Sequence, residues 1–236
     1  MIEWTDRAVM LSARPFGEGK AVAHALTEAH GRHAGLVQGA RRHAGALQPG
    51  TLATVRWRAR LSDQLGTFSC EVETAHAALW LDDPARLAAL QSACAVAELG
   101  LPEREPHPAA FLGLAAFLET LAGDAWPAAY VGYEVALLAE LGFGLDLERC
   151  AVTGGRTGLA WVSPRSGRAV TAEAGEAWKD RLLALPGFLS GAPGFTPGDI
   201  RDGLALTGHF LARHIAGPVD RPLPAARLRL ADCFAG

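Results

Sequence analysis

Between Ala29 and Ser62 the chain contains no aspartate and no glutamate. Lysine is scarce as well. Lys20 is the one lysine of the first 80 residues, and arginine and alanine far outnumber lysine throughout, as in a GC-rich coding bias. The weight therefore rests on where the arginines stand rather than on how many there are. Four cysteines, Cys70, Cys94, Cys150 and Cys233, lie far apart and leave no pair at metal-ligand spacing. They read as free thiols of a reducing compartment. No run approaches the ~20 apolar residues of a membrane span. Met1–Asp6 is acidic and lacks an apolar stretch, so no secretory leader is expected. Gly-x-Ser-x-Gly, His-Glu-x-x-His and paired Cys-x-x-Cys motifs are all missing. With no nucleophile, base and orienting group in view, a non-catalytic protein is expected, without cofactor or metal.

What is present divides the 236 residues in two. Residues 1–80 carry a net charge of +2 and residues 81–236 a net charge of −5, so the overall −3 conceals a basic and an acidic part. The first part reads as five short strands with Gly or Pro punctuation: Ala8–Ala13, Ala21–Thr27, Gly35–Ala40, Leu52–Leu61 and Gly66–Thr74. Five strands in so short a chain bury a core only by closing on themselves, which predicts a small barrel. His43–Gly50 is the loop between the third and fourth.

From residue 81 onward helical spacing takes over. Asp83-Pro84 is a helix start, followed by Leu87, Leu90, Cys94, Ala97 and Leu101. Phe111, Leu114, Leu118 and Leu121 mark a second helix. Tyr130, Tyr133, Leu137 and Leu141 mark a third, stopped by Gly142-Phe143-Gly144. A Gly-rich hairpin insert is expected at about 150–171, a short helix over Glu176–Leu185, and a capped helix from Thr196-Pro197-Gly198-Asp199 carrying Ile200, Leu204, Leu211 and Ile215. Leu223–Phe234 reads as a last helix. Trp126, Tyr130, Tyr133, Phe143, Trp161 and Trp178 read as core. The expected fold class is α+β: a barrel over 1–80, then a mostly α-helical domain over 81–236.

The acid-free window holds Arg32, Arg41, Arg42, Arg56, Arg58 and Arg60. In Val55–Leu61 the arginines alternate with Val55, Trp57 and Leu61, which puts Arg56, Arg58 and Arg60 on one strand face. Their stems repeat every ~6.7 Å, a row suited to a line of phosphates. A solvated strand face is the alternative. Arg41-Arg42-His43 lies in the neighbouring loop. Gly17-Glu18-Gly19-Lys20 lacks the length and the Ser/Thr of a phosphate loop, and reads as a turn with Lys20 as a possible phosphate contact. The candidate nucleic-acid set is therefore Lys20, Arg32, Arg41, Arg42, His43, Arg56, Arg58 and Arg60. Trp57 faces away from the arginines, so backbone contact is expected to dominate over stacking. Arg213 and Arg227, in the acidic part, are candidates for an acidic peptide or a terminal carboxylate. A protein-interaction adaptor that reaches DNA only through partners is the second reading.

An ordered series of segments resembles the RecO family of bacterial recombination-repair proteins. It begins at Gly17-Glu18 and continues through Thr27–Arg42, Leu47-Gln48-Pro49 and Leu65-Gly66-Thr67. Tyr133–Phe143, Asp146–Ala151 and Val162–Gly167 complete it. The resemblance implies a five-stranded OB-fold barrel followed by a helical domain. It implies binding of single- and double-stranded DNA, annealing of complementary strands, and location in the bacterial cytoplasm at the nucleoid. It also implies partnership with RecR and with the C-terminal tail of single-strand binding protein, for loading a recombinase onto covered strands. Arg227 is the arginine that the resemblance places at the tail site. Many relatives carry a four-cysteine zinc ribbon after the Gly-Phe-Gly segment. Here Cys150 stands alone, and Thr153 occupies its Cys-x-x-Cys partner position. The insert is expected to keep a zinc-ribbon-like hairpin shape without metal, held by Trp161.

Overall fold

The computed structural model describes residues 1–61 and 64–235. Ser62, the end of the acid-free window, Asp63 and Gly236 lie outside the described residues. The chain forms two compact units, Met1–Ala122 and Gly123–Gly236.

The first unit opens with five strands: β1 (Ile2–Pro15), β2 (Lys20–Thr27), β3 (Gly31–Gln38), β4 (Thr51–Ala59) and β5 (Thr67–Ala75). They close into a barrel in the order β1-β2-β3-β5-β4, the expected OB-like arrangement. β1 is longer than its sequence suggests, because it serves two partners. Residues 2–9 pair with β4 and residues 8–15 with β2, across a bulge between Met10 and Ser12. The extra residue bends the strand around the barrel. Ala8, Val9, Met10 and Leu11 are all buried. One side of β1 meets the barrel core of Ala23, Ala25, Val55, Trp57 and Phe68. Its other side meets the helices that follow.

The outer edge of β3 is covered piece by piece. Arg104 N–H donates to the Arg32 carbonyl at 2.8 Å. The Trp57 indole N–H lies 3.0 Å from the Ala34 carbonyl and 3.3 Å from the Leu65 carbonyl. Leu36 N–H donates to the Gly66 carbonyl at 3.0 Å, beside the single β3–β5 pair Leu36–Thr67. Gly66 makes this possible. Its φ is +68°, and a Cβ there would lie 2.4 Å from the Trp57 ring. Gly66→Ala adds left-handed strain to a clash with a fully buried indole, so a loss of about 3 kcal/mol is expected, read as a lower urea midpoint.

After the short α1 (His76–Leu79) come α2 (Pro84–Gly100) and α3 (Pro108–Thr120). Asp83 caps α2, its carboxylate accepting from Arg86 N–H at 3.0 Å, with Pro84 in the first turn. The face of α2 that carries Ala89, Leu90, Ala93, Cys94 and Ala97 is fully buried, and its small residues let the helix approach β1 closely. α3 packs on β1 and β2. Secondary structure thus changes near residue 80, as expected, whereas the compact unit runs on to Ala122.

The second unit holds α4 (Trp126–Glu140), a small sheet, α6 and α7. The sheet, ordered β7-β6-β8, consists of β6 (Leu159–Val162), β7 (Ala169–Thr171) and β8 (Leu183–Ala184). The short helix expected over Glu176–Leu185 is corrected: α5 (Ala172–Gly175) leads into a 3-10 turn at Glu176–Arg181, and Leu183–Ala184 adds the third strand. α6 (Pro197–Leu211) has the expected capping box between Thr196 and Asp199, and α7 spans Ala225–Asp232. Trp126, Tyr130 and Tyr133 are core, but Phe143 and Trp178 are exposed, Trp178 by 58%. Leu61 is exposed too, since β4 ends at Ala59.

Candidate nucleic-acid interface

β4 delivers the alternation its sequence requires. Val55, Trp57 and Ala59 point into the barrel, and Arg56 and Arg58 point out, each about half exposed. Arg60 is exposed just past the strand end. The register then adds a residue from outside the window. Glu3 of β1 pairs with Arg58, so its side chain lies on the arginine face. Glu3 accepts from Arg58 Nε at 2.6 Å and also holds the Arg56 guanidinium. The Arg58 and Arg56 guanidiniums hold the Glu3 carboxyl below the usual carboxylate range. The acid-free window in sequence is therefore not acid-free in space.

A groove of about 380 Å³ runs beside this face, lined by His43, Arg56, Arg58, Gln38, Phe68 and Ser69. A second groove, of about 470 Å³, is lined by Lys20, Arg41, Glu18 and Gln48. Leu47, a buried residue of the β3–β4 connection, lines both. Lys20, Arg41, Arg42 and His43 are exposed. The turn that carries Lys20 is fixed to the connection that carries Arg41 by Ala40 N–H donating to the Gly19 carbonyl at 2.8 Å. Five of the eight candidate residues thus line two adjoining grooves. Arg42 and Arg60 stand outside them on the surface.

Arg32 is held elsewhere. Its side chain is 15% exposed, donates from Nε to the Leu101 carbonyl at 2.7 Å, and pairs with Glu103 at 3.2 Å. It fastens the segment after α2 to β3, and a phosphate contact would have to break that arrangement.

The partner candidates separate in the same way. Arg213 is exposed and donates to the Pro164 carbonyl at 2.7 Å. Arg227 is corrected as a surface contact, because it is 2% exposed. Its Nε donates to Glu134 Oε1 at 2.6 Å, and its other terminus to Glu134 Oε2 at 3.0 Å and the Leu204 carbonyl at 2.7 Å. Tyr130 hydroxyl also donates to Glu134, at 2.6 Å, and Thr207 Oγ1 lies against the same carboxylate. Arg227 thus ties α7 to α4 and α6 inside the second unit.

Cys150 does not fit zinc. Thr153 and Thr171 N–H groups each donate to its sulfur at 3.4 Å. Burial pushes the thiol up, but the Thr153 hydroxyl and these amides outweigh it and bring it to about 6. Among the described residues no group of three His, Cys, Asp or Glu side chains could hold a metal ion, and one thiolate does not make a closed tetrahedral site. The Trp161 ring lies directly over Gly175, where a Cβ would come within 2.4 Å of it. Among the described residues no helix is long and apolar enough to cross a membrane.

Comparison with known proteins agrees with the architecture. Residues 1–76 match the model of the recombination protein O N-terminal domain, and residues 81–221 that of its C-terminal domain. The chain is 52% identical to "DNA repair protein RecO" of Rhodospirillum centenum over 237 residues, covering 99% of this chain and 95% of the relative. It is also 52% identical to the protein so named from Phenylobacterium zucineum over 235 residues, covering 98% and 97%. The Cereibacter sphaeroides protein is 48% identical over the whole of this chain and 99% of its own length. With both domain models matched in order and full-length relatives at about half identity, this chain belongs to the RecO family.

Proposed function

We propose that the chain is a non-catalytic mediator of DNA repair and recombination that binds single- and double-stranded DNA along the Arg56–Arg58–Arg60 face and the two adjoining grooves. The observation that carries this reading is the gathering of His43, Arg56 and Arg58 in one groove, and of Lys20 and Arg41 in the next. The names of its relatives support the repair role. Annealing needs no covalent step. Two strands repel through their phosphates, and a basic surface neutralises that charge and raises local strand concentration. In this reading the protein acts in the bacterial cytoplasm at the nucleoid. Its partners are RecR and the acidic C-terminal tail of single-strand binding protein, the tail drawn by exposed arginines such as Arg213. Together they load the recombinase onto covered strands.

One observation favours a second reading, an adaptor whose barrel binds only protein: Glu3 already occupies Arg56 and Arg58. Salt-titrated anisotropy with labelled oligo-dT separates the two. Direct binding is expected to weaken steeply with salt, and no binding at low salt would sink the DNA reading. Glu3→Gln sharpens the test. It releases two guanidiniums, so several-fold tighter binding and a steeper salt slope are expected. An unchanged slope would mean that the arginine face does not meet phosphate.

A further inference from the structure

The barrel has a third cavity, distinct from the basic grooves. It holds about 250 Å³ and is lined by Ile2, Trp4, His30, His33, Trp57 and Arg104. That is smaller than the roughly 300–1,000 Å³ of sites for whole small molecules, and suits one flat ring system. Its walls are fixed in place. The Trp4 ring stacks on His30 at 4.2 Å and on Trp57 at 5.5 Å, and His33 stands edge-on to both tryptophans at 4.9 and 5.5 Å. Asp6 anchors the His30 ring through Nδ1 at 2.9 Å.

His33 is the unexplained group. It is 7% exposed, and its Nδ1 is buried without a hydrogen-bond partner among the described residues. A buried polar atom left unpaired is costly and rare. Burial first, and then the charges of Arg104 and His30 against the opposing Gly31 carbonyl and Glu103, lower the His33 pKa. The ring is neutral at neutral pH, with one nitrogen to donate and one to accept. The cavity also lies at the end of the arginine row, since Ile2 pairs with Ala59, the residue before Arg60.

We infer that this cavity receives a single unpaired nucleobase from the strand that runs along the arginine face. The base lies against the rings that line the cavity, His33 among them, with its phosphate left outside near Arg60. The cavity lining contains no carboxylate to repel the strand, and flat apolar walls accept any base by its π face. The inference rests on the DNA-binding reading above.

Binding of the full chain to oligo-dT and to an abasic oligomer of equal length tests both together. The two oligomers carry the same phosphates, so the basic face alone treats them alike. The base-containing strand is expected to bind about tenfold more tightly. His33→Leu and, independently, Ala29→Trp are each expected to abolish that difference and leave abasic binding unchanged. Ala29 is exposed at the cavity rim and donates only its backbone N–H, to Asp6, so this variant decides the matter should His33→Leu fail to fold. Equal affinity for the two oligomers would overturn the base site while leaving DNA binding intact. A preference that survives Ala29→Trp would overturn it as well, by placing the base contact elsewhere. Failure of both oligomers to bind would remove the DNA-binding reading itself.

Discussion

Replacing Arg56, Arg58 and Arg60 together with alanine is expected to weaken single-strand binding by about a hundredfold near 0.1 M salt and to leave the melting temperature almost unchanged. Each phosphate contact to a single strand adds ~0.7 to the slope of log affinity against log salt, so the slope should fall by up to about 2, less the share of Arg56 and Arg58 that Glu3 already neutralises. Stability is spared because the three side chains lie outside the barrel wall, with their apolar neighbours Val55, Trp57 and Ala59 buried on the other side. The loss is magnified by what remains. Once Arg56 and Arg58 are gone, Glu3 stands alone on the same face as an unopposed negative charge. Anisotropy titrations at several salt concentrations check both numbers. A full-strength slope in the triple variant would move the DNA site off this face.

Arg227→Ala should have the largest effect on stability, about 3–5 kcal/mol lost from the second unit, because Glu134 would remain as a fully buried and uncompensated carboxylate. The double variant Glu134→Leu, Arg227→Met is expected to recover most of that loss, since an apolar pair removes the need to bury charge. Urea unfolding followed by circular dichroism checks the order of the three proteins, with two transitions to be fitted because the units need not unfold together. Loss of partner binding in Arg227→Ala with unaltered unfolding would instead show Arg227 acting at a surface.

These two predictions also mark what the sequence can convey. The strands of the barrel are legible because period-two burial and Gly punctuation are local, and the caps at Asp83 and Thr196 are legible because a cap is made within three residues. Glu3 was not legible as part of the arginine face. Met1–Asp6 reads as an acidic start, and only the β1–β4 register brings Glu3 to Arg58, 55 residues away. Arg227 has the same difficulty in reverse. An arginine in an acidic tail looks like a surface hook, and its actual partner lies 93 residues earlier. The aromatic cluster escaped notice because Trp4, His30, His33 and Trp57 come from different strands and connections. An alternation read one strand at a time shows which face a residue takes, not who meets it there.

The piecewise cover on β3 bears on how copies of this chain can associate. An open strand edge is a template onto which a neighbouring molecule can add its own strand, the route to swapped dimers and fibrils. At β3 the exposed backbone positions are taken in turn by Arg104, by the Trp57 indole and by Gly66, so none of these three positions is left to start such a ladder. Crowding of many copies of this chain therefore need not lead to strand exchange between their barrels.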